Sequence, residues 1–259
     1  MLQLPRITPS DYRGNEVDTC KLCLTEEATT NSHILSEFNY KGAYDSLHRI
    51  LLVEPKKIYH PKIMQKGLRE KNLLCLSCET KLSKWERYAD AILNGSTRPE
   101  FANLSYQRIV DLKGMEYGLV RGADYAKFKL YLLTNLWRAS VSTSSYFRFV
   151  RLGKHEELVR RMLLSGNPGD KDDYGCLMIA VVDKSQMFYD AIRQPDVIKV
   201  DGVPCFRFFI AGLFYFYFLP KTKAPEWVKF FFIDRTGNLR ALRAKREYFK
   251  IFSDFLSNF

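Results

Sequence analysis

Two Cys-x-x-Cys hooks constrain this chain more than any other feature: Cys20-Lys21-Leu22-Cys23 and Cys75-Leu76-Ser77-Cys78. Each hook offers two thiolates from one tight turn, and two hooks together supply four soft ligands for a tetrahedral zinc site. A structural Zn²⁺ is therefore expected on Cys20, Cys23, Cys75 and Cys78. Four cysteine ligands leave no open coordination position, so this zinc is architectural. Thiol redox proteins also use Cys-x-x-Cys, but with a single hook beside a βαβ pattern, which this chain lacks. The N-terminus, Met-Leu-Gln-Leu-Pro-Arg, has no apolar run of the secretory kind. A cytoplasmic chain with reduced thiols is the expectation, and there the hooks read as metal ligands rather than disulfides.

Asn31-Ser32-His33 stands between the hooks, and Glu79 follows the second hook directly. A neutral imidazole suits a general base, and a carboxylate suits a hard cation such as Mg²⁺ or Mn²⁺. With these residues in place, the segment of about 19–93 resembles the zinc-stapled branch of the HNH, or His-Me finger, nuclease superfamily. The endonuclease VII type of junction-resolving enzyme is the useful comparison. The resemblance implies a ββα-metal fold, with the histidine on a hairpin and the helix opening at the second hook. It implies a metal-dependent endonuclease, acting chiefly on DNA, with His33 as base and Glu79 as a ligand to Mg²⁺ or Mn²⁺. Asn31, Ser32 and Glu37 are candidates to assist. Lys81 falls where the superfamily often has a basic residue. The chain departs from the pattern at three places: Ser32 replaces the acid before the histidine, Ser36 replaces a proline, and Glu79 replaces the final His or Asn. Asn72 is a loose match to the HNH asparagine. An intracellular bacterial defence role follows by analogy.

A second expectation uses the same residues differently. The unit could be a non-catalytic zinc module that binds nucleic acid or a partner protein. His33 then bonds within its hairpin, and Glu79 favours the positive end of its helix. A third has the later region sense a small ligand or regulatory partner and switch the first.

The formal net charge is +11, from 40 basic and 29 acidic residues. Residues 1–100 hold 15 basic against 13 acidic, 101–173 hold 12 against 8, and 174–259 hold 13 against 8. The surplus of +2, +4 and +5 thus grows after the cysteine region, and it favours a polyanionic partner. Lys81, Lys84, Arg240, Arg243, Arg246 and Lys250 are the candidate nucleic-acid contacts. Arg243, Arg246 and Lys250 would share one face of a terminal helix over 239–255.

The expected class is α+β: a zinc-bound ββα unit over 1–95, a linker at 94–99, and a mixed helical and antiparallel β region over 100–259. Helices are expected over 77–93, 124–140 and 154–164 from apolar spacing and stop signals, and 46–52, in a loop-rich stretch, is a candidate short helix. Strands are expected at 176–182, 197–200, 205–209, 213–219 and 227–233. Asp201-Gly202 reads as a hairpin turn, and Gly212 as a bend or bulge. The apolar run Cys205–Leu219 contains Arg207 and is too short to span a bilayer, so no membrane is expected. His155-Glu156-Glu157 lacks the second histidine of HExxH and reads as a helix start with ion pairs to Arg160 and Arg161. In Trp137-Arg138-Ala139-Ser140, Trp137 is expected in the core, with Arg138, Ser140 and Ser142 free to touch a ligand or phosphate.

Overall fold

The computed structural model describes residues 18–53, 62–96, 98–182 and 191–245. It is a mixed α+β protein built on a large, mostly antiparallel sheet. The strands are β1 (Asn31–His33), β2 (Ile50–Val53), β3 (Lys62–Met64), β4 (Arg69–Lys71), β5 (Ser105–Val110), β6 (Glu116–Arg121), β7 (Cys176–Val182), β8 (Ala191–Val200), β9 (Val203–Ile210), β10 (Leu213–Tyr217) and β11 (Leu239–Lys245). The helices are α1 (Leu76–Leu93), α2 (Tyr125–Val141), α3 (His155–Ser165) and α4 (Glu226–Lys229). Nine strands form one sheet in the order β3-β2-β8-β9-β10-β7-β11-β6-β5. Among the described strands, only β2–β8 and β7–β11 pair in parallel. β1 and β4 form a separate two-stranded ladder. No described helix is long and apolar enough to cross a membrane.

The aromatic run after Cys205 is two strands, because both faces of the sheet are covered. Phe206, Phe208, Ile210, Tyr215 and Tyr217 pack into the cluster that also holds α2. Cys205, Phe209, Phe214 and Phe216 pack into a second cluster with Val228, Phe231 and Phe232. Alternate residues of a strand point to opposite faces, so a sheet buried on both sides needs a nearly continuous apolar run. Asp201-Gly202 and Ala211-Gly212 both turn with positive φ at each residue (47° and 80°; 46° and 82°). That is the type I′ geometry whose twist matches antiparallel strands. Gly212 therefore sits in a hairpin turn, and Arg207 on β9 is paired with Asp196 of β8 at 2.5 Å.

α2 is the central helix. Asp124 caps it by accepting from the Lys127 amide at 3.0 Å. Residues Phe128 to Ser140 are all buried. The segment after His33 docks on this helix. Ser36 donates from both its amide and its hydroxyl to Asn135 Oδ1, each at 3.1 Å. Tyr131 donates to Asn39 at 3.1 Å. A proline at position 36 would lack that amide donor, which accounts physically for the serine there.

Three local expectations are corrected. The terminal helix expected from Leu239 begins instead as strand β11, paired with β6 and β7. Ile50–Val53 is strand β2, where a short helix was expected. The stretch 227–233, expected as a strand, is instead the short helix α4 and the turn that follows it. The lead-in over 1–17 and the segment 246–259 lie outside the described residues. The linker expected at 94–99 precedes β5 and β6, two strands absent from the sequence reading. The sheet itself crosses that point, because β2 pairs with β8.

Candidate metal centre and the adjoining polar site

The first hook is the tip of a small turn closed by the Thr19–Glu27 bridge. Leu24, in left-handed backbone at φ 62°, completes the reversal. The second hook opens α1, with Cys75 as its N-cap. The residues before it run beside the first hook: Lys21 donates to Leu73 O at 3.0 Å, and Thr29 and Thr30 both donate to Leu74 O at 3.0 Å. Four Sγ atoms result, all within 4.8 Å of one another. Cys23 and Cys75 lie 3.9 Å apart. A tetrahedral ZnS₄ site with Zn–S near 2.3 Å has S···S separations of about 3.8 Å. The donors therefore fit a metal ion such as Zn²⁺ in both chemistry and spacing.

The backbone supports the same reading. Amides donate to the sulfurs at both hooks, Glu26 to Cys23 at 3.5 Å and Cys78 to Cys75 at 3.4 Å. Burial raises the Cys23 thiol, but hydrogen bonds from the Thr25 side chain and from the Glu26 and Thr25 backbone outweigh it and leave it at about 6. Burial raises Cys75 and Cys78. Among the described residues, these four cysteines are the one group of three or more His, Cys, Asp or Glu ligands close enough to share a metal.

The β1–β4 ladder lies next to this centre and divides its residues between two faces. Directly opposed residues share a face. Ser32 and Glu70 are opposed, as are His33 and Arg69, and Asn31 and Lys71. The first pair faces inward. Ser32 is buried and donates to Glu79 Oε2 at 2.7 Å. Glu70 accepts from the Ser142 hydroxyl at 2.6 Å and from the amide and hydroxyl of Thr143.

Glu79 uses its other oxygen on Arg138, at 2.9 Å. Arg138 also holds Glu86 at 2.5 Å, and its side chain is 0% exposed. Glu79 and Glu86 lie seven residues apart on α1, on one face, and clasp the guanidinium from α2. A fixed cation thus neutralises the carboxylate that the resemblance would give to Mg²⁺ or Mn²⁺. Hard cations require several oxygen ligands at once. Both Glu79 oxygens are already engaged, one by Arg138 and the other by Ser32, so this arrangement does not fit a bound Mg²⁺ or Mn²⁺.

His33 lies on the other face of the ladder. Arg69 Nε donates to His33 Nε2 at 2.8 Å. Burial, followed by the positive charge of Arg69, pushes the imidazole down to about 4. The ring is neutral at pH 7, and because Nε2 accepts, its proton resides on Nδ1. Glu37 lies 3.6 Å from Arg69. Tyr40 fixes the turn before β4: its hydroxyl accepts from the Leu68 amide at 3.1 Å. Its ring also occupies the space where a Cβ on Gly67 would stand, 2.6 Å away. Asn72 bonds to Asp18 at 3.0 Å.

Four of the expected nucleic-acid contacts, Lys81, Lys84, Arg240 and Arg243, lie among the described residues. Lys81 donates to the Leu164 carbonyl. Lys84 is exposed on α1. Arg243 is bonded to Glu116, while Arg240 is bonded to the Phe230 carbonyl at 3.1 Å and stacked on its ring. Arg246 and Lys250 lie outside the described residues. The arginines on β11 are therefore strand residues with local partners rather than one helical stripe. The structure also brings in Glu70, Glu86, Arg69 and Asn135, which the motif did not single out, and gives Arg138 an internal role. One signal was available: two acids at i and i+7 flanking Leu82 on the apolar face of α1 call for a buried cation. No family description, curated protein or solved structure matches the chain.

Proposed function

We propose that this chain is a zinc-stapled nucleic-acid-binding module whose nuclease-like site is closed. Its contact surface is the outer face of the β1–β4 ladder, where Asn31, His33, Arg69 and Lys71 lie side by side. The observation that carries the reading is the engagement of Glu79. One oxygen is ion-paired to a fully buried Arg138 and the other accepts from Ser32. The outer face holds two exposed cations and two polar side chains, the composition that contacts phosphate and sugar without reading sequence. Within the module, Zn²⁺ would fix the hairpin to the helix, and Arg138 would take the place of a catalytic cation as the fixed positive charge.

The test is binding of duplex DNA and RNA by the zinc-loaded chain over a range of salt. Arg69→Ala with Lys71→Ala should weaken binding and reduce the salt slope by about 2. An unchanged slope removes this surface.

The second reading is hydrolysis, with His33 as base and Glu79 as ligand to Mg²⁺ or Mn²⁺. A specific observation favours it: His33 is held neutral on β1, in the ladder whose other strand, β4, precedes the helix of the second hook. Hydrolysis would require Arg69 to release Nε2 and Glu79 to release Arg138. Metal-dependent cleavage of DNA that His33→Ala abolishes would establish this reading instead.

A further inference from the structure

A cleft of about 920 Å³ opens beside α3, and none of the four hook cysteines lines it. One stripe of the helix forms its wall through His155, Leu158, Met162 and Ser165. Tyr174, Pro220 and Lys221 close the other side. The volume is that of a small-molecule site. Leu158 and Met162 offer an apolar floor, and Leu158 is 49% exposed on it.

The charges are one-sided. Lys154, Arg161 and Lys221 line the cleft against a single carboxylate, Asp173. That carboxylate accepts the Asp170 amide at 3.0 Å, and Arg161 is shared with Glu157 at 2.7 Å. His155 Nδ1 and the Tyr174 hydroxyl are hydrogen-bonded at 3.0 Å. Burial, then Lys154 and Lys221, push the His155 imidazole below its usual range. Tyr174 and Lys221 both hold positive φ, 55° and 65°. Non-glycine residues pay for that conformation, and such strain gathers at ligand sites.

We propose that this cleft binds a nucleotide-class ligand: a phosphate held by Lys154 and Lys221, with a flat ring lying on Leu158 and Met162. Ser165 and Asn167, which also line the cleft, would bond the ring edge. The proposal is independent of whether the nuclease-like site is open or closed. It has one consequence for the zinc unit. Arg160 lies about 200° round α3 from Leu158. Its Nη1 donates to the Leu22 carbonyl, inside the first hook, at 2.5 Å. α3 therefore touches the cleft with one face and the metal centre with the other.

The experiment is calorimetry on the intact zinc-loaded chain with AMP and ATP, beside adenosine and inorganic phosphate. Both nucleotides should bind more tightly than either fragment, and Lys154→Ala with Lys221→Ala should weaken them about tenfold or more. Both lysines are exposed, and the unfolding temperature of the double variant checks that the fold is kept. No nucleotide binding at millimolar concentration overturns the proposal, as does equal binding by the folded double variant. Phosphate binding as tightly as ATP would also overturn it, leaving a plain anion patch. Zinc transfer to a chelator, timed with and without ATP, reads the link. A rate that changes in the parent and not in Arg160→Gln supports it; an unchanged parent rate removes it.

Discussion

Arg138 has no solvent exposure and holds two carboxylates from the facing helix, Glu79 at 2.9 Å and Glu86 at 2.5 Å. Removing one partner of a buried ion cluster leaves uncompensated charge, so Arg138→Ala should cost about 3 kcal/mol or more, measured by urea unfolding. A loss below about 1 kcal/mol would show that the network is dispensable. Ser36→Pro removes an amide donor to Asn135 in a buried site and should cost about 1–3 kcal/mol by the same measurement. His33 gives a pH signature. Its folded pKa is depressed to about 4 from 6.5, so the unfolded chain binds the proton first as pH falls. This contribution to stability is complete above pH 6.5 and is lost between pH 6.5 and 4, up to about 3 kcal/mol in all. His33→Asn should flatten that part of the stability profile. A profile unchanged by the substitution would place the imidazole in open solvent.

The elements with strong local signals were legible in the sequence. The hooks, α1, α2, α3, β7 and the Asp-Gly turn each carry a short-range cause: ligand spacing, 3.6-residue periodicity, a cap, or a residue suited to positive φ. β11 was misread because Leu-Arg-Ala-Leu-Arg-Ala-Lys is made of good helix formers. Pairing with β6 on one side and β7 on the other overrides that preference. β5, with exposed or half-buried residues along its whole length, has no apolar periodicity to announce it. Among the elements, α1 and the β1–β4 ladder are the ones that a metal ion on the four cysteines would hold together. Chelation of zinc, or Cys78→Ser, should release the ladder from the helix and lower the unfolding temperature, with one zinc per chain in the parent by elemental analysis. A chain that retains its unfolding temperature without metal would contradict a structural role for the cysteines.

At the scale of the molecule, the cysteine unit is bound into the larger sheet. β2 pairs with β8, Ser36 bonds to α2, and Glu70 bonds to Ser142 and Thr143 beyond it. A fragment of residues 1–95 should therefore fail to fold even with zinc, because Ile50, Leu52, Ser36 and Arg138's two acids lose their partners. Sharp, dispersed amide signals from that fragment with Zn²⁺ would show an autonomous domain. The candidate site was only half legible for the same reason. Cys20, Cys23, Cys75, Cys78, His33 and Glu79 lie within one stretch of sequence and could be read as a motif. Arg138, which fixes the state of Glu79, lies 59 residues further on and reaches it only through the packing of α2 on α1.

The most direct measurement of the central claim is a cleavage assay on plasmid and linear DNA, using the zinc-loaded chain with Mg²⁺ and with Mn²⁺ beside His33→Ala and Glu79→Ala. A closed site predicts DNA binding without cleavage by the parent in either metal. Cleavage by the parent that both substitutions abolish would contradict it and show that Glu79 leaves Arg138 to serve the reaction.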